Sequence, residues 1–552
     1  MAGGTADRDG PATEPGEWTL RDDEARRYVG RAVDATVALV ESTLGPSGME
    51  KLVETEDLQN RPETVRLADG ARLLDAVERG DGFAHPVAAL FVDAVDGMQT
   101  DLRDGTTTAM VLTGALLSEG LDLVDRGLAP NSVVVGYGVA RSRAGAALDD
   151  LARPVGATDR DRLGDIAATA MTARLDPTVR REVADRVAAA VADLASGRED
   201  GWIDTDDLKI LGGRGLDPTV RDGLVLTRPD DADPAGRPLD GPIPDAGVAV
   251  MDGEIDFEDT ASVLDGGDGV TLSSPEAART YRDELARRRE TAGGSLAEMG
   301  ADVLVCMERL DEATARAVER AGVAVVDKAT YPKEGVYRLA RATGATVTTH
   351  FENLSAERLG RADRVTQRAV GDEVWTAFEG CPGPVFTLVV GGRTERETRA
   401  RREAAADAVE TTAVAVMDGQ VIPGAGAGAA AVAAAVRAAA TDLRGREQLA
   451  VDAFADAIER VPATLARNAG HDPVGAVADL RAEHASGAST AGIDLESGGT
   501  TDAWAAGVVE PRRVFSQSVE TACAVVERLL PVDAVLYPGV DLPGYEPRPE
   551  RE

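Results

Sequence analysis

Asp104-Gly105-Thr106-Thr107-Thr108 opens a stretch in which Met110, Val111, Leu112, Leu116 and Leu117 recur at helical spacing. Glycine lets the backbone approach a phosphate, successive N–H groups at a helix start attract anions, and threonine hydroxyls add donors. Asp104, directly before them, is the residue type that holds Mg2+ against phosphate oxygens. No Gly-Lys-Ser/Thr follows, so this is not a Walker A loop. Taken alone, the same five residues also read as an Asp/Thr N-cap with a glycine turn.

Upstream, Val29, Val33, Val37, Val40 and Leu44 share one helix face, and Gly45-Pro46-Ser47-Gly48 ends that helix. Thr64 to Leu67 is extended and runs into the turn Ala68-Asp69-Gly70. His85, before Pro86, reads as a turn residue. Downstream, from about Asp217 to Val370, the pattern changes. Val248–Met251, Val303–Cys306 and Val323–Val326 are short β-branched runs, with helical stretches at Asp311–Ala321 and Gly335–Thr343 and a further strand expected near Val347. Such alternation predicts an α/β region with an at least partly parallel sheet. Arg228 to Pro244, rich in Asp, Pro and Gly, is expected to loop over the surface. A long helix is predicted over Thr398 to Met417, breaking at Asp418-Gly419 and resuming after Pro423-Gly424-Ala425-Gly426-Ala427-Gly428.

The two further glycine loops, Leu44 to Gly48 and Pro423 to Gly428, have the chemistry to close around the same nucleotide; each alone also serves as a helix-terminating turn. Asp69 and Asp407 are candidates to orient or deprotonate a water for attack on a γ-phosphate, although a carboxylate on a helix also reads as a solvated charge.

Composition narrows the partners. Lys+Arg 59 against Asp+Glu 96 leaves a formal charge of -37 over 552 residues, which repels nucleic acids and anionic membranes. Lys51, Lys209, Lys328 and Lys333 are the only lysines. An acidic, Lys-poor, Arg-rich chain fits a protein kept soluble in concentrated salt, and a GC-rich genome would bias the chain the same way. Cys306, Cys381 and Cys523 are far apart with no CxxC, so buried reduced thiols are expected rather than disulfides or zinc. The first residues lack the basic-then-apolar order of a signal peptide, and no uninterrupted apolar run reaches the roughly 18 residues of a membrane span. The Ala-rich run from Ala429, broken by Arg437, reads as a tightly packed helix. A cytoplasmic location is the resulting expectation.

Order and spacing together say more than any motif. Thr43 to Lys51, Asp69-Gly70, His85-Pro86 and Asp104 to Thr108, followed by Gly300 to Cys306, Leu339 to Ala345, Val421 to Gly424, Ala466 to Gly470, Gly492 to Asp494 and Val509 to Pro511, resemble the group II chaperonins. These are the archaeal thermosome and its eukaryotic cytosolic relatives, and the resemblance covers about residues 20 to 536. It implies a multidomain fold: a mainly α-helical equatorial domain (20–152 and 408–536), a small α/β intermediate hinge domain (153–216 and 370–407), and an α/β apical domain with a helical protrusion (217–369). Flexible ends are expected at 1–19 and 537–552, and the protrusion near Glu254 to Glu290, where Ile255, Phe257, Val263 and Leu264 would meet partner tips.

The resemblance also implies an ATPase that encloses non-native proteins in two stacked rings of eight or nine subunits, as homo- or hetero-oligomers, with ATP and Mg2+ as cofactors. Leu44, Gly45, Pro46, Gly105, Thr106, Thr107, Thr108, Gly424 and Gly426 would bind nucleotide, and Asp104 would bind Mg2+. Asp69 and Asp407 would position the attacking water, Asp407 arriving on domain closure. Four departures stand out: Arg103 in place of a glycine, Ala425 within the usual glycine pair, Ala505 at a commonly acidic ribose contact, and Arg174 in place of a common Lys. They motivate the alternative of a slow or hydrolysis-deficient subunit acting as a ring member or holdase.

Overall fold

The computed structural model describes residues 18–56, 62–67, 70–79, 88–89, 91–92, 104–172, 175–196, 202–229, 234–253, 275–328 and 334–537. The chain divides into two compact units. One combines Met1–Val155, Thr172–Arg174 and Asp418–Glu552; the other combines Gly156–Met171 and Leu175–Met417.

The first unit is helical. Its core packs the helices Asp22–Val40 (α1), Thr106–Asp125 (α3) and Pro130–Leu151 (α4) from the N-terminal part with Ala427–Ala440 (α11), Glu447–Ile458 (α12) and Arg512–Leu529 (α15) from the C-terminal part. Aromatics are only 3% of the chain, and small residues bring the helices close. The Ala450 methyl sits where a Cβ on Gly136 would lie, and Val37 packs against Gly114. Tyr137 is fully buried, donates its hydroxyl to the Leu116 carbonyl at 2.8 Å and meets Phe454 edge-on with ring centroids 5.8 Å apart. Helix α3 is long and apolar enough to cross a bilayer, but Glu119 and Asp122 interrupt it and more than half of its apolar stretch is buried against neighbouring helices.

The α1 face read from valine spacing is observed, with Val29, Val33, Val37 and Val40 buried. The α-helix ends at Val40, however, and Glu41–Thr43 tightens into a 3-10 turn before Leu44 becomes extended. At the far ends, Trp18–Arg21 pairs antiparallel with Ala534–Tyr537, Trp18 opposite Tyr537. Ladder hydrogen bonds thus hold Trp18, Thr19 and Tyr537, residues expected in the flexible ends. A three-stranded sheet of Val509–Pro511, Gln420–Pro423 and Arg153–Pro154 also joins distant segments.

The second unit is built on an eight-stranded mixed sheet. Ile243–Met251, Val303–Cys306 and Ala324–Val326 run parallel at one end, as the β-branched runs predict. Their alternation divides the core. Val248, Val250, Val303 and Val305 face the helix Glu334–Thr343, while Ala249, Met251, Leu304 and Cys306 face the helices Pro275–Met299 and Glu312–Arg320. The rest of the sheet is antiparallel apart from the parallel pairing of Phe386–Gly392 with Leu208–Arg214. Gly360–Val370 and Glu373–Glu379 form a hairpin across Gly371-Asp372, with Gly371 at φ 61, the left-handed requirement of a tight turn.

The strand expected near Val347 does not form. Backbone pairing there is reduced to an isolated bridge between Thr348 and Met251, and Val347 serves the core as a partly buried side chain. The surface loop expected before Pro244 is present over 234–242 and is pinned by the buried Asp327, which accepts the Ala235 and Gly236 amides at 2.9 and 3.1 Å. Of the expected protrusion, 275–290 lies in the helix Pro275–Met299; Ile255, Phe257, Val263 and Leu264 fall outside the described residues. All three cysteines are free, and burial pushes the Cys381 and Cys523 thiols up to about 12.

Candidate functional site

Within the first unit, segments far apart in sequence meet around Gly105. That residue caps helix α3 at φ 80, a conformation glycine adopts without a Cβ penalty, and no side chain caps the helix there. The first N–H groups of such a helix carry the positive end of its dipole. Asp104 turns back so that its Oδ1 accepts the Gly105 N–H at 2.6 Å, fixing the carboxylate beside the helix start. Ser518 of α15, fully buried, donates to the Gly105 carbonyl at 3.1 Å. Thr106 is buried, whereas Thr107 and Thr108 are partly exposed.

The second glycine loop repeats this construction. Gly426 caps helix α11 at φ 78, again without a capping side chain. Gly424 donates to the Val508 carbonyl at 2.8 Å. Ala425 occupies the left-handed region at φ 54, where an L-residue with a Cβ costs about 1 kcal/mol. Its carbonyl accepts the Ile493 amide at 2.9 Å, and Gly492 packs against its methyl, so neighbouring backbone holds this departure in place.

The first glycine loop closes the circuit. Gly45 has φ 79, and the Leu465 side chain lies 2.5 Å from where its Cβ would be; the same leucine reaches 3.7 Å from the corresponding point on Gly426. Gly70 packs against the Thr107 hydroxyl and Val40. Strand Val509–Pro511 links the remaining pieces. Val508, just before it, binds Gly424, while Glu510 lies close enough to Asp104 to feel its charge. Burial, and then that charge, push the Glu510 carboxyl up to about 8.

Leu44, Gly45, Pro46, Gly105, Thr106, Thr107, Thr108, Gly424, Gly426 and Asp104 therefore all belong to one unit. Asp69, Arg103, Arg174 and His85 lie outside the described residues. Asp407 lies in the second unit, partly buried on the helix Glu395–Asp418 (α10), with its carbonyl accepting the Thr411 hydroxyl at 2.9 Å. Ala505 is exposed, and its amide donates to Asp502 Oδ1 at 3.2 Å. The Thr490 hydroxyl first, then backbone amides, hold the Asp502 carboxyl below its ordinary value. Sequence reasoning gave no role to Glu510, Ser518, Asp502 or Asn468, because each acts across more than one loop and no local spacing marks that.

Among the described residues, no group of three or more His, Cys, Asp or Glu side chains could hold a metal ion by itself. The Asp104 carboxylate beside the helix start is a donor that fits a cation carried mainly by phosphate oxygens and water, the usual Mg2+ arrangement.

Residues 37–539 match the TCP-1/cpn60 chaperonin family. The chain belongs to that family. Among its chaperonin relatives are a thermosome subunit of Methanopyrus kandleri, 33% identical over 93% of this chain and 93% of that protein, and thermosome subunit alpha of Halobacterium salinarum, 32% identical over 92% of this chain and 88% of that protein. Among solved structures, the open-state monomer of a group II chaperonin from Methanococcoides burtonii matches with a TM-score of 0.60 at 27% identity, covering 78% of this chain and all of that one. The helical unit and the mixed α/β unit are thus parts of a group II chaperonin fold.

Proposed function

We propose that this chain is an ATP-hydrolysing subunit of a double-ring chaperonin that takes up non-native proteins and couples hydrolysis to their folding. The observation that carries this reading, beside family membership, is the meeting of two uncapped glycine N-caps, the Leu44–Gly48 turn and Asp104 within one compact helical unit. Two helix N-termini and a tight glycine turn offer backbone N–H groups and favourable dipoles to a triphosphate.

In this reading Gly105, Thr106, Thr107 and Thr108 receive the phosphates, while Leu44, Gly45 and Pro46 and the Gly424 and Gly426 loop enclose the rest of the nucleotide. Asp104 holds Mg2+, which when bound neutralises charge on the phosphate oxygens. Asp69 and Asp407 orient a water for in-line attack on the γ-phosphorus; its bond to the bridging oxygen breaks, and ADP and phosphate leave. Asp407 stands on the chain leading from the inserted unit, so turnover depends on that helix reaching the nucleotide.

The residue assignments go with a three-domain division: an equatorial domain of 20–152 and 408–536, an intermediate domain of 153–216 and 370–407, and an apical domain of 217–369. Rings of eight or nine subunits in the cytoplasm complete the proposal. Asp407→Ala tests it: the variant should bind ATP as the parent does and lose phosphate release by about 100-fold or more, because only transition-state alignment is removed. Parent-rate hydrolysis by that variant overturns the role of Asp407. Electron micrographs of the purified protein in concentrated KCl should show stacked rings; lone monomers would overturn the assembly.

A further inference from the structure

The helix Arg460–Asn468 (α13) lies behind two of the glycine loops and holds them from one side. Leu465 fills the space over Gly45 and reaches Gly426, and Pro462 covers Gly426 at 2.8 Å from the position of an added Cβ. Beyond Leu465, Asn468 directs Nδ2 at two carbonyls of the first loop, Glu41 O at 3.0 Å and Leu44 O at 2.9 Å. Arg467 adds an ion pair to Glu41 at 3.2 Å.

The second of those bonds fixes more than a carbonyl. In a trans peptide the C=O and the following N–H point in opposite directions. Holding the Leu44 carbonyl toward Asn468 therefore turns the Gly45 N–H away from it. Among the described residues the Gly45 amide has no backbone partner, the Leu44 amide is already used by Glu41 O at 3.3 Å, and Pro46 has no N–H. Gly45 thus supplies the one backbone donor of the Leu44–Pro46 turn left for a ligand. An amide NH2 has two hydrogens, one for each carbonyl, so Asn suits this post in a way that a hydroxyl or carboxylate does not.

We propose that Asn468 is a positioning residue for ATP: it sets the Leu44–Gly45 peptide so that the Gly45 N–H faces the phosphates. This inference rests on the reading of these loops as the nucleotide site. Its test is phosphate release against ATP concentration for the full-length assembled protein in concentrated KCl. Asn468→Leu, similar in size and without donors, should raise the ATP KM roughly tenfold and leave kcat within about twofold, since the lost support acts on binding in ground and transition states alike. Asn468→Gln, which keeps the NH2 on a longer stem, should recover part of that loss. A purely structural role would instead lower the melting temperature and the active fraction with KM unmoved, and that result overturns the proposal. If Asn468→Leu does not assemble, Asn468→Ser, too short to span both carbonyls, gives the same comparison. Gly105→Leu separates the two levels. If it keeps the parent KM, the nucleotide-site reading fails; if it loses ATP binding while the Asn468 variants keep the parent KM, only the role of Asn468 fails.

Discussion

Lys209 on the strand Leu208–Arg214 donates its ammonium to the Val225 carbonyl at 2.9 Å from a mostly enclosed position. Burial first, and then the charge of Arg338, lower its pKa from 10.5 to about 8, against a smaller opposing effect of Glu373. Below about 8 folded and unfolded chains both carry the proton, and the folded state bears the full cost of the buried cation. Between there and 10.5 the unfolded chain still holds a proton that the folded chain has released, so this group's contribution to stability rises with pH. Lys209→Met should remove that rise. Urea unfolding of both proteins at about pH 7.5 and about pH 10 measures it, and parallel pH trends would refute the assignment. Residues of this kind are hard to read from sequence: the chain shows a lysine in a β-rich run, and only the neighbouring strand Thr219–Pro229 reveals what its amine meets.

Helix α11 shows how an element legible in sequence acquires its partners elsewhere. Its alanines pack it tightly, and Arg437, read as the interruption of an apolar run, points at the Glu459 carboxylate, with bonds of 2.6 and 2.5 Å. Arg481, from the helix Pro473–Ala485, binds the same carboxylate, and Asp456 bridges both guanidinium groups. Burial alone would raise the Glu459 carboxyl, but Arg437 and Arg481 bring it below its ordinary value. Its side chain is only 6% exposed against 27% and 51% for the two arginines. Glu459→Ala should cost about 3 kcal/mol, since it strands cations arranged around a buried anion. Denaturant unfolding reads that loss directly, and a change under about 0.5 kcal/mol would mean the network is solvated. Helices with long apolar periodicity, α1, α3 and α10, were legible because their faces are set within a few turns. The strand expected at Val347 was not, because pairing depends on a partner edge and the chain there makes a single bridge.

At the scale of the whole molecule, a formal charge of -37 means strong self-repulsion in dilute buffer. Raising KCl from low to multimolar concentration should raise the melting temperature, because screening shortens that repulsion to a few Å. A melting temperature flat or falling with KCl would leave GC bias as the account of the arginine excess. By itself the sequence determined the charge, the helix-forming stretches, the parallel strands around Val303–Cys306, and the ordered glycine and aspartate motifs that mark the family, all of which are written in local pattern or in linear order. Tertiary structure alone decided that Trp18 pairs with Tyr537, that Leu465 touches two loops, that Glu510 comes within reach of the Asp104 charge, and that Asn468 holds the Leu44 carbonyl. Most of those contacts join residues hundreds of positions apart, and no local propensity encodes which distant surface a side chain will bury against.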